Sequence, residues 1–340
     1  MIPFLLNNLH YLWLLLLLGL LAAATLAPLE AMGWWAGWWL HSANAPDDTA
    51  APAKPTTPAR EQAGSPVPAN HYIVFLTGIG GSTEKVNVPL EVGLIARLRT
   101  EFPDANVIDT IYPYSVANRG LTEGRFLATV WRWVLQEKLT GHRALGFMIN
   151  LRNLLQVLVC ADHRYGAFFS QGAAQVIVRE LQRAGYDFAG STPLTIIGYS
   201  GGGQIAVGAA PYLAEVLPAP VDVISLGGVL SSTPNINRID RVVHIYSNKD
   251  TVQRLAMIFP GRWRLAWTSA WNRGRRAGRI SAIFLPNIKH DGPGSYLDPH
   301  SQLPDGRSHL DQTVQVIGHL LKTPLQPIPD DPPLARQLHH

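Results

Sequence analysis

A serine set between closely spaced glycines constrains this chain more than any other feature of its sequence. Residues 193–203 read P-L-T-I-I-G-Y-S-G-G-G, so a short apolar run rich in β-branched residues ends at Gly198. Residues 204–217 have helical character, which places Ser200 at a turn from strand to helix. The spacing of Gly198, Ser200 and Gly202 predicts a turn so tight that only small residues fit two positions before and after the serine.

This motif has two interpretations when it is taken alone. A glycine-rich turn of the same length occurs in other doubly wound α/β proteins, where the serine has no special role. In the other interpretation the turn, with Tyr199 before the serine, pushes one hydroxyl out above a sheet. The first amides of the following helix then point at any negative charge that develops there. The rest of the chain has to decide between the two.

The first 28 residues contain no Asp, Glu, Lys or Arg, and residues 11–27 are almost wholly apolar. This length predicts a transmembrane helix. The four tryptophans at positions 34, 35, 38 and 39 are typical of the lipid headgroup layer. A cleaved signal segment, with the alanines at 22–24 as its cleavage site, is the alternative, although a positive n-region is missing. The sequence therefore predicts a single-pass N-terminal membrane segment over residues 1–41. An extracytoplasmic location is favoured for the rest of the chain.

Composition divides the remainder of the chain into three parts. Residues 42–70 contain six prolines among Ala, Thr, Ser and Asp and predict an extended, disordered linker. Residues 71–323 form the predicted folded domain, and residues 324–340 form a proline-rich tail that we also predict to be disordered. Predicted strands cover residues 71–76, 105–111, 194–198, 221–226, 241–246 and 279–286. Predicted helices cover residues 88–100, 125–139, 145–159, 171–184, 204–217 and 310–321.

The alternation of strands and helices predicts an α/β domain with a mostly parallel sheet covered on both faces. The first strand runs into Thr77-Gly78-Ile79-Gly80-Gly81, which could in principle bind phosphate. A dinucleotide fingerprint would need glycine where Thr83 stands, and no lysine follows a glycine at the spacing of a nucleotide-binding loop. The loop therefore counts against a dinucleotide-binding oxidoreductase, and we predict no cofactor.

Charge and cysteine content exclude further classes. The formal net charge is only +4 and there is no lysine-rich tract, so nucleic acid is not an expected partner. A single cysteine, Cys160, permits neither an internal disulfide nor a cysteine metal cluster, and we predict no metal. The oligomeric state is open at this stage.

Polar side chains follow two of the predicted strands at the points where they end. Asp250 comes shortly after the strand at 241–246, and His290 comes shortly after the strand at 279–286. Because the carboxyl ends of parallel strands meet at one edge of a sheet, we expect both residues to lie near Ser200. A serine hydroxyl needs a base in contact with it, and histidine held by a carboxylate provides one at neutral pH.

With these residues in place, the region 71–321 resembles an α/β-hydrolase of the lipase and esterase kind, in which serine, acid and histidine follow in this order. The resemblance implies Ser200 as nucleophile, Asp250 as orienting acid and His290 as base. It also implies an oxyanion hole formed by the backbone amides of Gly201 and Ile79.

Other residues compete for these roles. His300 and His309 could replace His290, and the remaining aspartates could replace Asp250. Cys160 is predicted to be a small buried apolar residue because no tight turn surrounds it. The competing acids are Asp162, which has no suitable context, Asp222, which lies inside a strand, and Asp240, which precedes one.

The resemblance implies a serine hydrolase that cleaves carboxylic esters, and the apolar N-terminal segment predicts that it is anchored in a membrane, with lipid esters favoured as substrates. An acyltransferase or thioesterase would use the same three residues. A non-catalytic binding protein on the same scaffold is the remaining alternative, and the intact set of Ser200, Asp250 and His290 counts against it.

A final pattern bears on the substrate. Trp263, Trp267 and Trp271 recur every four residues and would form one stripe on a helix, with arginines around them. Such a helix could lie in a lipid headgroup layer, or its tryptophans could simply pack on the sheet.

Overall fold

The computed structural model describes residues 69–81, 89–115 and 143–323, together with isolated positions between residues 11 and 36. Within this part of the chain, strands β1 to β6 are His71–Leu76, Ala105–Ile108, Leu194–Tyr199, Val221–Leu226, Arg241–Tyr246 and Ile280–Phe284. They form one sheet in the order β2-β1-β3-β4-β5-β6, and every neighbouring pair is parallel. All carboxyl ends of the strands therefore lie at the same edge of the sheet.

Helices cover both faces of this sheet. Helices α1 to α6 are Pro89–Glu101, Arg143–Ala161, Gly166–Arg183, Gly201–Val216, Ala270–Arg276 and His309–Lys322. Apolar residues of α2 to α5 form one core cluster with the sheet, and those of α1 and α6 form a second cluster on the opposite face. The predicted α/β architecture with a parallel sheet covered on both faces is confirmed.

Burial of the sheet on both faces explains why its central strands read as apolar runs rather than as alternating patterns. All six residues of β3 are buried, and so are all six of β4. Successive residues of a strand point to opposite faces, so Ile196 packs with one cluster and Ile197 with the other.

Most element boundaries lie within a few residues of the predicted ones. The predicted second strand ends early, at Ile108 instead of residue 111, and helix α3 begins five residues before the predicted start at 171. Helix α4 begins at Gly201, directly after Ser200, rather than at residue 204. The predicted helical segment at 125–139 lies outside the described residues.

The predicted tryptophan stripe is wrong. Residues Pro260–Arg262 form a short 3-10 helix, turns follow, and α5 begins only at Ala270. The side-chain amide of Asn272 donates to the carbonyl groups of Trp263 and Ala266, at 2.8 and 2.9 Å. These are carbonyls that a continuous helix would have used. Trp271 is consequently buried in the core, whereas Trp263 and Trp267 are exposed.

The predicted transmembrane segment lies outside the described residues apart from isolated positions, as do most of the linker at 42–70 and the tail at 324–340. Among the helices that the structure describes, none combines the length and the apolar character needed to cross a bilayer.

The buried histidine of β5 makes the stability of the fold depend on pH. His244 is 4% exposed, and its Nδ1 lies 3.3 Å from the hydroxyl oxygen of Ser225. Burial, followed by the positive charge of Arg262, lowers the pKa of His244 from 6.5 to about 3. Between these two pKa values the unfolded chain binds a proton that the folded chain does not. The free energy of unfolding should therefore fall as the pH is lowered through this window, by at most about 1.4 kcal/mol per pH unit.

We expect the His244→Asn variant, which retains a polar group facing Ser225, to lose this contribution. Urea unfolding of both proteins between about pH 7.5 and about pH 5 measures the difference in slope. The exposed His300→Asn variant is the control and should keep the slope of the unaltered protein. An unchanged slope in His244→Asn would contradict the assignment.

Candidate active site

The turn at Ser200 has a backbone conformation that L-residues rarely adopt. Ser200 has φ 53° and ψ −121° and stands at the N-cap of α4. A Cβ atom at Gly198 would lie 2.5 Å from the carbonyl oxygen of Gly202, and one at Gly202 would lie 2.4 Å from the carbonyl oxygen of Leu76. Both neighbours are backbone atoms that cannot move aside, so the two glycines are required by the close approach of the chain to itself.

The three residues expected at the carboxyl edge of the sheet lie in hydrogen-bond contact. The hydroxyl oxygen of Ser200 is 2.8 Å from Nε2 of His290, and Nδ1 of His290 is 3.0 Å from each carboxylate oxygen of Asp250. Ser200 and Asp250 are buried, whereas 14% of the His290 side chain is exposed. Ser200 follows β3, Asp250 follows β5 and His290 follows β6, so the parallel sheet alone brings them together from distant parts of the sequence.

The carboxylate of Asp250 is held by three further donors. The backbone amides of Val252 and Gln253 donate to one of its oxygens at 3.0 and 3.1 Å, and the hydroxyl of Tyr296 donates to the other at 3.1 Å. Burial and the neighbouring Asp250 raise the pKa of Tyr296 far above its ordinary value, so this hydroxyl stays a donor. These contacts stabilise a buried negative charge and fix the direction in which it faces His290.

Tyr199 holds His290 in place through two contacts. Its ring stacks against the imidazole with centroids 5.6 Å apart, and its hydroxyl donates to the backbone carbonyl of His290. The chain after His290 turns sharply, because the amide of Lys289 donates to the carbonyl of Gly294 across positive φ angles at Gly292 and Gly294. The sequence Asp-Gly-Pro-Gly at 291–294 has the residue types that are typical of such a turn.

The loop that follows β1 approaches Ser200 from the other side. A Cβ atom at Gly201 would lie 2.7 Å from Cγ2 of Ile79, so the two residues proposed for the oxyanion hole are neighbours. The amide of Gly78 cannot serve there, because it donates to the carboxylate of Glu91 at 2.9 Å. Gly201 is the first residue of α4, where an amide has no acceptor within its own helix.

Buried polar residues hold this loop in place. The carboxylate of Glu91 accepts from the hydroxyl of Thr77 at 2.6 Å as well as from the Gly78 amide. The side-chain amide of Asn153 donates to the carbonyls of Ile79 and Gly81, both at 2.8 Å. These bonds engage the carbonyl of Ile79 and leave its amide without a protein acceptor in the described part of the chain.

The competing residues lie elsewhere. His309 is the first residue of α6 and His300 lies in the turns before it, and within the described residues the hydroxyl of Ser200 is paired with His290 instead. Asp240 accepts from the amide of Val221, and Asp222 pairs with Arg241 at 2.5 Å. The strand residues in these two contacts are Val221, Asp222 and Arg241. They lie at the amino ends of β4 and β5, opposite Ser200.

The last two competitors also have structural roles. Asp162 binds Arg164 in a surface turn. Cys160 is buried, and burial raises the pKa of its thiol to about 11, which fits the prediction of a small apolar residue. Within the described ranges, no cluster of His, Cys, Asp and Glu is suited to hold a metal ion.

Sequence reasoning missed several supporting residues. Glu91 had a weak signal as a carboxylate in the first turn of a helix, and Asn153 had one as a polar residue in a helix of mostly apolar residues. Gly227 and Tyr296 had none, because only the folded chain brings them against Asp250.

No family model matches the chain, and no curated protein matches it. Similar solved structures include a dienelactone hydrolase-like promiscuous phosphotriesterase from metagenomic libraries, with 15% identity, a TM-score of 0.41 and coverage of 75% of this chain and 86% of that one. Dienelactone hydrolase from Anabaena variabilis has 15% identity, a TM-score of 0.38 and coverage of 75% and 85%. Esterase PE8 has 14% identity, a TM-score of 0.37 and coverage of 75% and 92%. Similarity at this level says nothing about the substrate of this chain.

Gly227 provides a test of the packing around Asp250. Its φ is +56°, and a Cβ atom there would lie 2.6 Å from an Asp250 carboxylate oxygen. Gly292 has φ +69° with no atom within 4 Å of such a Cβ. We expect Gly292→Ala to lower the free energy of unfolding by about 1 kcal/mol through backbone strain alone. Gly227→Ala should lower it by a further 1–3 kcal/mol or so, because it also overpacks the site. Equal losses in denaturant unfolding of the two variants would show that the site tolerates the added methyl group.

Proposed function

We propose that this chain, which has the α/β-hydrolase fold, is a serine hydrolase that cleaves carboxylic esters. The observation that carries the proposal is the pair of contacts made by His290, with Ser200 at 2.8 Å on one ring nitrogen and Asp250 at 3.0 Å on the other. The order of serine, acid and histidine along the chain, each after a different parallel strand, supports the same conclusion.

In the proposed reaction the Ser200 hydroxyl oxygen attacks the ester carbonyl carbon while Nε2 of His290 takes its proton. Asp250 keeps the other ring nitrogen protonated and stabilises the imidazolium that forms. His290 then gives the proton to the departing alcohol as the carbon–oxygen bond of the ester breaks, which leaves an acyl group on Ser200. A water molecule, deprotonated by His290, attacks this acyl group, releases the carboxylic acid and restores the serine.

The negative charge on the tetrahedral carbonyl oxygen needs donors that are already in place. The amides of Gly201 and Ile79 are the proposed donors, and the positive end of α4 adds to their field. The Glu91 carboxylate supports this role indirectly, because it engages the Gly78 amide and holds the loop in one conformation. A donor that needs no rearrangement during the reaction stabilises the transition state more than one that has to move.

Lipid esters are the substrates that we favour, and residues 1–41 are proposed to anchor the chain in a membrane by a single pass. The support comes from the uncharged, apolar stretch at the start of the sequence and the tryptophans that follow it. An extracytoplasmic catalytic domain belongs to the same proposal. An anchored enzyme would meet its substrate within the bilayer surface rather than in solution.

The nucleophile can be tested directly. Full-length protein treated with a fluorophosphonate should carry the label on Ser200, identified by mass spectrometry of its peptides. Ser200→Ala should take up no label and should lose esterase activity by several orders of magnitude, because the acyl-enzyme step is removed. A label on another residue, or undiminished activity of the variant, would exclude Ser200 as the nucleophile.

The partners of Ser200 can be tested against matched residues of the same type. Asp250→Asn should reduce kcat by orders of magnitude, because the tautomer of His290 is no longer fixed. Asp240→Asn changes a carboxylate at the opposite end of the sheet and should leave kcat nearly unaltered. His290→Ala and His309→Ala form a second pair with the same expectation. If either control lost more activity than its partner, the assignment of the acid or the base would be wrong.

A further inference from the structure

The segment after Asp250 exposes an unusual number of large apolar side chains. Leu265 is 91% exposed, Trp267 70% and Met257 64%. Within residues 255–267 the large exposed apolar side chains are Leu255, Met257, Ile258, Trp263, Leu265 and Trp267. Single exposed apolar residues are ordinary on a protein surface, but a concentration of this kind within one short segment indicates a surface that contacts something. We call residues 253–267 the apolar loop.

Charged side chains of one sign follow each other along the sequence of this region. Residues 251–279 contain seven arginines, no lysine and no aspartate or glutamate. Arg254 and Arg264 flank the exposed rings within the loop, and Arg273, Arg275 and Arg276 follow in α5. A surface that combines exposed aromatic and aliphatic side chains with arginines is complementary to an anionic lipid headgroup layer.

The apolar side chains are held outward by the construction of the loop. The indole nitrogen of Trp263 donates to the carbonyl of Met257 at 2.7 Å, which joins the two halves of the loop. Arg262 stacks its guanidinium 3.6 Å from the ring centroid of the buried Trp271. These contacts tie the base of the loop to the core while Leu265 and Trp267 stay in solvent.

The loop lies at the same end of the sheet as Ser200. The amide of Gln253, the first residue of the loop, donates to the carboxylate of Asp250. The described part of the N-terminal segment reaches this end too, since the ring of Trp35 lies 5.1 Å from that of Phe168 in the first turn of α3. The opposite end of α3 accepts a bond at Ala184 from Tyr72, near the amino end of β1, so Phe168 belongs to the carboxyl end.

We infer that the apolar loop is a docking surface for an anionic lipid bilayer, which it contacts independently of the N-terminal segment. The end of the sheet that carries Ser200, Asp250 and His290 then faces the bilayer. The consequence that the substrate is drawn from that bilayer rests on the proposed hydrolase function, whereas the docking itself does not.

The test uses full-length Ser200→Ala protein, so that lipid is not consumed and docking is read without activity. Leu265→Cys places a thiol at the tip of the loop for an environment-sensitive fluorophore. Val216→Cys is the matched control, because Val216 is 63% exposed at the last residue of α4, at the amino end of the sheet. Cys160 is buried with a pKa raised to about 11 and should not react. Both proteins are reconstituted into phosphatidylcholine vesicles with or without phosphatidylglycerol, with brominated phosphatidylcholine as quencher.

We expect the label at position 265, and not the one at 216, to be quenched in vesicles that contain phosphatidylglycerol. Quenching should weaken at high salt, where the screening length falls to about 3 Å at 1 M. Adding Arg264→Gln should lower the ratio of docked to undocked loop about fivefold, the effect of one arginine near an anionic surface.

Three results would overturn the inference. The first is a label at 265 that reports water in every vesicle, and the second is equal quenching of both labels. A label at 265 that is shielded but not quenched by lipid would show that another segment or a second copy of the chain covers the loop. Because none of these readouts involves catalysis, a failure of docking is distinguishable from a failure of the proposed hydrolase function.

Discussion

The strained turn at Ser200 governs the geometry of the candidate site. A positive φ at a residue with a side chain persists only where the surrounding structure leaves no alternative. Here β3 and the first three turns of α4 are buried, and the backbone of the turn is pressed against itself and against the end of β1. The strain places one hydroxyl at the edge of the sheet and one helix terminus beside it, which is the arrangement that the proposed acyl-enzyme chemistry requires.

Around this turn, two separate networks hold the other groups of the site. Asp250 receives two backbone amides and the Tyr296 hydroxyl, and His290 is held by Tyr199 and by the turn that follows it. The loop after β1 is held independently by Glu91 and Asn153. Each network fixes a different part of the proposed reaction, the proton transfer in one case and the charge on the carbonyl oxygen in the other.

The apolar loop connects the site to the surroundings of the protein. Its first residue bonds to Asp250, and it exposes large apolar side chains in a stretch of sequence that contains arginines and no acidic residue. The two kinds of side chain differ in how water solvates them, because arginines are solvated well and large apolar side chains are not. A headgroup layer over hydrocarbon satisfies both, so the same short segment would join the proposed acid to a lipid surface.

The order of strands and helices, the parallel sheet and the three residues that meet at its carboxyl edge could be predicted from the sequence. These features were predictable because the strands of a parallel sheet that is covered on both faces are apolar runs. The carboxyl ends of such strands also lie at one edge of the sheet, wherever the strands occur in the sequence. The residues that support the site became evident only in the folded chain. Gly227 and Tyr296 acquire their roles from contacts with Asp250 that no local pattern encodes. The tryptophans at 263, 267 and 271 show the same limit, since their helical spacing was overridden by the cap at Ser269 and the bonds of Asn272, which start a new helix and leave two of the three rings outside.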